Sequence, residues 1–158
     1  MKYLLNLILL FSLFSCTQKS ENTKDLEQRI QQLEKKVSET YKPGFGEMMS
    51  SIQAHHSKLW FAGKNNNWEL AAFEVKELNE IIGDIKIYQK DRKETSKIDM
   101  INSPLQQVEE AINQKSTTDF NKTFIQLTKD CNKCHQLTDF EYNKVKIPET
   151  SPFSNQEF

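Results

Sequence analysis

Glycine and proline are scarce, four of each in 158 residues, and no stretch alternates apolar and polar side chains as a half-buried strand would. Sheet-based folds are thereby set aside. Charge of one sign is also lacking. The formal net charge is -1, which offers no broad basic field for nucleic acid. Long apolar runs are absent beyond the N-terminus, where none approaches the roughly 20 residues needed to span a bilayer. Cysteine is limited to three residues, an odd number, with two of them inside one four-residue window, so no disulfide framework is required. What is present is 27% charged residues and ten phenylalanines, the profile of a single compact soluble domain.

The membrane signal lies at the start. Lys2, an apolar stretch over residues 3–14 and Ser15-Cys16 precede a polar segment, which reads as an export signal too short for a stable anchor. Leu13-Phe14-Ser15-Cys16 resembles a bacterial lipobox, with Phe14 bulkier than the usual residue there. The expectation is a signal peptide over 1–15 and a lipid on Cys16, placing the protein in the periplasm or cell envelope, tethered to a bacterial membrane. A plain secretory peptide with Cys16 as a free thiol is the alternative, and export holds in both.

Residues 16–44 read as a linker and helical spacer. Leu26, Ile30, Leu33 and Val37 recur at four and three, a short coiled-coil pattern that allows a homodimer. Lys42-Pro43-Gly44 ends it. Four helical periods follow. Over 45–62, Phe45, Met48, Met49, Ile52, Leu59 and Trp60 share one stripe. A second helix over about 67–88 carries Trp68, Ala71, Val75, Leu78, Ile82 and Ile85, with Asn66 and Glu69 as a capping box. The charged segment 90–102 reads as a solvated crossing loop, with Met100 and Ile101 tucked against the body. Ser103-Pro104 reads as the cap and first turn of a third helix, and a fourth runs from Thr117 or Thr118 to about His135. Residues 141–158 read as an irregular tail laid over the surface. The fold class is therefore all-α, an antiparallel four-helix bundle preceded by a coiled-coil-like helix.

The fourth helix ends in Cys131-Asn132-Lys133-Cys134-His135. On a helix, this C-x-x-C-H spacing holds two thiols and an imidazole toward one side of a flat ligand, which suits one covalent c-type haem. Each thiol can form a thioether with a porphyrin vinyl group, and His135 can bind the iron. A thioredoxin-like dithiol would want a βαβ setting. A zinc site would need Cys131, Cys134 and His135 joined by His55 or His56, without the usual second ligand pair.

A helical bundle whose last helix carries this motif resembles the cytochrome c-prime class and its low-spin relatives, over residues 45–140. Ala62-Gly63-Lys64 followed by Asn65-Asn66-Asn67-Trp68 is similar to that class's junction between its first two helices. The resemblance implies a distal axial residue on the first helix at Met49. Independently, Met49 and His56 both lie within about 40° of the centre of that helix's apolar face, and His56 is the rival ligand. Trp60, Trp68, Phe120 and Phe124 are expected to line the haem pocket as hydrophobic wall, and Met48 to fill core. A His/Met iron implies electron transfer with an external redox partner, and an open distal face implies binding of small gases such as nitric oxide or carbon monoxide. An enzyme is not expected, since a peroxidase would want a distal acid/base set and only His56 is available.

Overall fold

The apolar periods are realised as helix. The computed structural model describes residues 19–40 and 43–158, and no strand occurs among the described residues. The expected signal peptide and the lipid site at Cys16 lie outside them. Among the described residues, no helix is long and apolar enough to cross a membrane.

The chain divides into two units between Lys42 and Pro43. The described part of the first is helix α1, Lys19–Thr40. Its apolar residues Leu26, Ile30, Leu33 and Val37 are all exposed, and two i,i+4 ion pairs, Asp25 with Arg29 and Glu39 with Lys35, run along its surface.

The second unit holds α2, Phe45–Lys64; α3, Trp68–Tyr88; a 3-10 helix, Thr95–Ile101; α4, Asn102–Asn113; and α5, Thr117–Leu137. Helix α2 packs on α3 and on α5, while α4 packs on α3 and on α5. Apolar residues at three- and four-residue spacing explain the arrangement. Leu59 and Ala62 of α2, Val75 and Ile85 of α3, Leu105 and Val108 of α4, and Phe120 and Phe124 of α5 are all buried. Each of the larger ones contributes about 1.5–3 kcal/mol.

The helix caps differ from expectation. Asn67, not Asn66, caps α3 by accepting from the Leu70 amide at 3.2 Å. Asn66 instead takes a left-handed φ of 60°, a conformation that asparagine tolerates better than most residues. Ser116, not Thr117 or Thr118, caps α5. Its hydroxyl accepts from the Asp119 amide at 3.3 Å and donates to the Asp119 carboxylate at 2.6 Å. Ser103 caps nothing at α4, because the 3-10 helix runs directly into it through Ile101, which is itself helical.

That 3-10 helix corrects the reading of 90–102 as a solvated loop, while Met100 and Ile101 do tuck against the body as expected. Ile98 and Ile101 are buried and Met100 packs against the core. Three residues per 3-10 turn put Ile98 and Ile101 on one edge, which lies against α3, α4 and α5.

Gly63 sets the closest approach of α2 to α5. A Cβ there would lie 2.1 Å from the ring of Phe120, so only glycine lets the fully buried Phe120 seat where it does. Trp60 stacks on the same ring at 6.2 Å, Trp68 meets it edge-on at 6.1 Å, and Phe124 lies 5.7 Å from it. This aromatic layer occupies one level of the helices.

Candidate functional site

A second level is hollow. Eleven residues at about 1.5 Å per residue separate Trp60 from Met49 on α2, and Phe120 from Cys131 on α5. About 16 Å along the helices from the aromatic layer, a partly open cavity is lined by Met49, His56, Cys131, Cys134 and His135. Its apolar wall includes Ile52, Leu78, Ile82, Ile98, Leu105 and Leu127. The structure thus brings the C-x-x-C-H side chains and both distal candidates to one space.

The expected wall is a different matter. Trp60, Trp68, Phe120 and Phe124 are brought together with one another, and none of them lines the cavity. Bulky aromatics pack where two helices approach across Gly63, one level away. The cavity is walled mainly by aliphatic side chains, with Phe45 and Phe140 as its aromatic members. Met48 is buried in the core, as a packing residue should be.

His135 hydrogen-bonds through Nδ1 to the carbonyl of Asn143 at 2.6 Å. A carbonyl only accepts, so Nδ1 carries the proton and Nε2 keeps a free lone pair. Fixing an imidazole this way, by donation to a backbone carbonyl, is the usual support for a metal-binding histidine. Asn143 belongs to the tail, which folds back after α5. The turn is held by the Phe140 amide donating to the His135 carbonyl at 2.8 Å and by a left-handed Asp139.

The tail is then clamped. The Asn132 amide donates from Nδ2 to the Val145 carbonyl and accepts at Oδ1 from the Val145 amide, both at 2.8 Å. This pair of bonds joins the second residue of the motif to the strip of chain that faces His135. Asn143, Lys144 and Val145 all line the cavity. Further on, Phe158 packs on Phe61 at 5.5 Å and Lys58 lies over Phe153.

Both cysteines are free thiols. Burial pushes the Cys131 thiol up to about 12, helped by neighbouring Cys134 and Asp130, and burial also raises Cys134. A dithiol redox centre needs a depressed thiol pKa, and these are shifted the other way. Nor are any three His, Cys, Asp or Glu side chains gathered to hold a metal ion among the described residues, so the zinc alternative lacks its ligand set. A haem iron asks for one or two protein ligands, and thioether formation asks for two accessible thiols on one side of a pocket. The residues present fit that group.

On the α2 side, His56 is buried, and its Nε2 lies 2.9 Å from the Thr128 hydroxyl. That hydroxyl already donates to the Phe124 carbonyl at 3.0 Å. It can therefore only accept from His56, which carries its proton on Nε2. Burial lowers the His56 pKa to about 4, so the ring is neutral at pH 7. Its neighbour His55 donates from Nδ1 to Glu74 at 2.6 Å, which supplies a partner to a fully buried carboxylate. Met49, half-buried at the cavity, has no competing polar bond to make.

Sequence reasoning passed over three further participants. Glu94 lines the cavity and is buried, paired with Arg92 through bonds of 2.6 and 3.2 Å, and that hydrogen bonding holds its carboxyl below its ordinary range. The Arg92 guanidinium in turn lies 4.6 Å over the Phe45 ring. Asn132 and Asn143 are the other two. Only the short Arg92-x-Glu94 spacing carried a sequence signal, since the Asn143 contact is made by a backbone atom. Comparisons with family models, with curated proteins and with solved structures find no match to this chain.

Proposed function

We propose that this chain is an exported mono-haem c-type cytochrome of the cytochrome c-prime class, an electron-transfer protein rather than an enzyme. The observation that carries this reading is the His135–Asn143 hydrogen bond, which leaves an imidazole lone pair fixed beside two protonated thiols and a methionine on one cavity. In this reading Cys131 and Cys134 hold haem by thioethers, His135 is the proximal ligand and Met49 the distal one. Helices α2 to α5 then form an antiparallel four-helix bundle, an arrangement supported by their mutual packing in a ring. Bound there, haem would supply a reversible one-electron couple.

The residues of the chain do the rest. Asn143 makes the His135 imidazole a stronger donor by accepting its Nδ1 proton. Thr128 holds the His56 proton on Nε2 and keeps that ring engaged with α5, which favours Met49 over His56 as the sixth ligand. The apolar wall lowers the polarity around the site and so favours the less charged redox state. Glu94, neutralised by Arg92, places no uncompensated charge there. An external redox partner protein follows from the single centre, and a lipid on Cys16 would hold the carrier at a cell-envelope membrane.

The test is to produce the full chain in a host that matures c-type cytochromes. Covalent haem by denaturing gel and pyridine haemochrome is expected, with a low-spin six-coordinate spectrum in both oxidation states. A polypeptide carrying no covalent haem overturns the reading. A five-coordinate high-spin iron that takes carbon monoxide without displacing a ligand overturns electron transfer in favour of gas binding.

A further inference from the structure

Helix α1 carries an apolar stripe that no other described residue of its own unit covers. Leu26, Ile30, Leu33 and Val37 are 58%, 46%, 60% and 66% exposed. Their spacing of four, three and four is that of a coiled-coil seam, and it fixes a heptad register. Leu26 and Leu33 take the d positions, Ile30 and Val37 the a positions. β-branched residues at a with leucine at d are the combination that favours two parallel strands.

The flanking charges make the same choice independently. In this register the e positions are Glu27 and Glu34, and the g positions include Arg29 and Lys36. In a parallel pair each g residue faces the e residue of the following heptad on the other helix. Arg29 of one copy then meets Glu34 of the second, twice over by symmetry. In an antiparallel pair e meets e and g meets g, which opposes Glu to Glu and Arg to Lys. The pattern attracts in one orientation and repels in the other. Arg29 holds Asp25 on its own helix at 3.2 Å, and a guanidinium with five donors can keep that bond while reaching across.

We propose that α1 is a parallel homodimerisation helix, whose partner is the α1 of a second copy of this chain, seated through Leu26, Ile30, Leu33 and Val37 and selected by Arg29–Glu34 pairs. The proposal is independent of what the second unit binds. It does match the proposed lipid at Cys16 in one respect. Parallel strands put both N-termini at the same end, where two tethers can enter one membrane.

Sedimentation equilibrium of the full chain tests it, with Arg29→Glu, Glu34→Arg and the double variant alongside. All three changes are at exposed sites, and circular dichroism monitors the fold. The full chain is expected to dimerise at micromolar concentration. Each single reversal, which turns two attractions into two repulsions, is expected to weaken dimerisation by about tenfold. The double reversal restores the pairing and the affinity. A monomeric full chain overturns the proposal. So does a single reversal that strengthens association, which is the antiparallel signature, and so does a double variant no tighter than the singles.

Discussion

Asn132 holds both the N–H and the C=O of Val145, with two bonds of 2.8 Å, and in doing so fixes the chain that offers the Asn143 carbonyl to His135. The side chain between the two cysteines is thus a positioning residue for the imidazole next to them. Asn132→Ala removes both bonds, leaving a half-buried N–H and C=O without partners. It should cost about 1–3 kcal/mol of stability. Once the His135 Nδ1 proton is less firmly accepted, the imidazole is a weaker donor and the reduction potential of the haem-loaded chain should rise. Asn132→Asp keeps one of the two bonds and should fall between. Voltammetry on the three proteins checks the order, and an unchanged potential in Asn132→Ala would show that the clamp is structural only.

Met49 and His56 line the same cavity but stand in different bonding states. Met49→Ala is expected to convert a low-spin spectrum to high-spin and open the iron to carbon monoxide. His56→Ala is expected to leave the low-spin spectrum in place while lowering stability, because it deletes the bond to Thr128 and the ring contact with Phe124 at 4.5 Å. Absorption spectra of the two variants decide between them. Loss of the low-spin form in His56→Ala alone would reverse the assignment.

His56 also predicts a pH dependence. Its pKa falls from an ordinary 6.5 to about 4 on burial, so the folded chain resists a proton that the unfolded chain accepts. The contribution is complete above pH 6.5 and is lost as pH falls from there toward 4. Over that window the effect is about 3 kcal/mol at most. Urea midpoints at pH 7.5 and pH 5 should show the full chain losing stability on acidification. His56→Gln should show a smaller loss.

Gly63 and Phe120 form a lock at the aromatic layer. Gly63→Ala puts a methyl group 2.1 Å from the Phe120 ring, and the resulting strain should cost about 1–3 kcal/mol. Adding Phe120→Leu should recover part of it by vacating that space. Thermal denaturation of the single and double variants measures the coupling.

The helix periods and the C-x-x-C-H motif were legible because both are written in side-chain spacing. Met49, His56, Cys131, Cys134 and His135 converge because each lies on an inward stripe within two turns of its helix. The height of Trp60 and Phe120 was equally readable: eleven residues from Met49 and Cys131 is three turns, too far to share their pocket. Ile98 was hidden among charges, and its three-residue spacing from Ile101 fits a 3-10 helix rather than the α period. The Asn143 acceptor and the Asn132 clamp could not be read at all. A backbone carbonyl has no letter of its own, and the tail that carries it has no period from which to infer its path.

The position of that tail bears on the order in which the protein is made. His135 and its acceptor are eight residues apart and Asn132 and Val145 thirteen, and in both pairs the tail residue comes later in the chain. If the chain is exported N-terminus first, as proposed, the two thiols would emerge before the segment that closes over them. Maturation would therefore act on an unroofed helix, and completion of translocation would seal it.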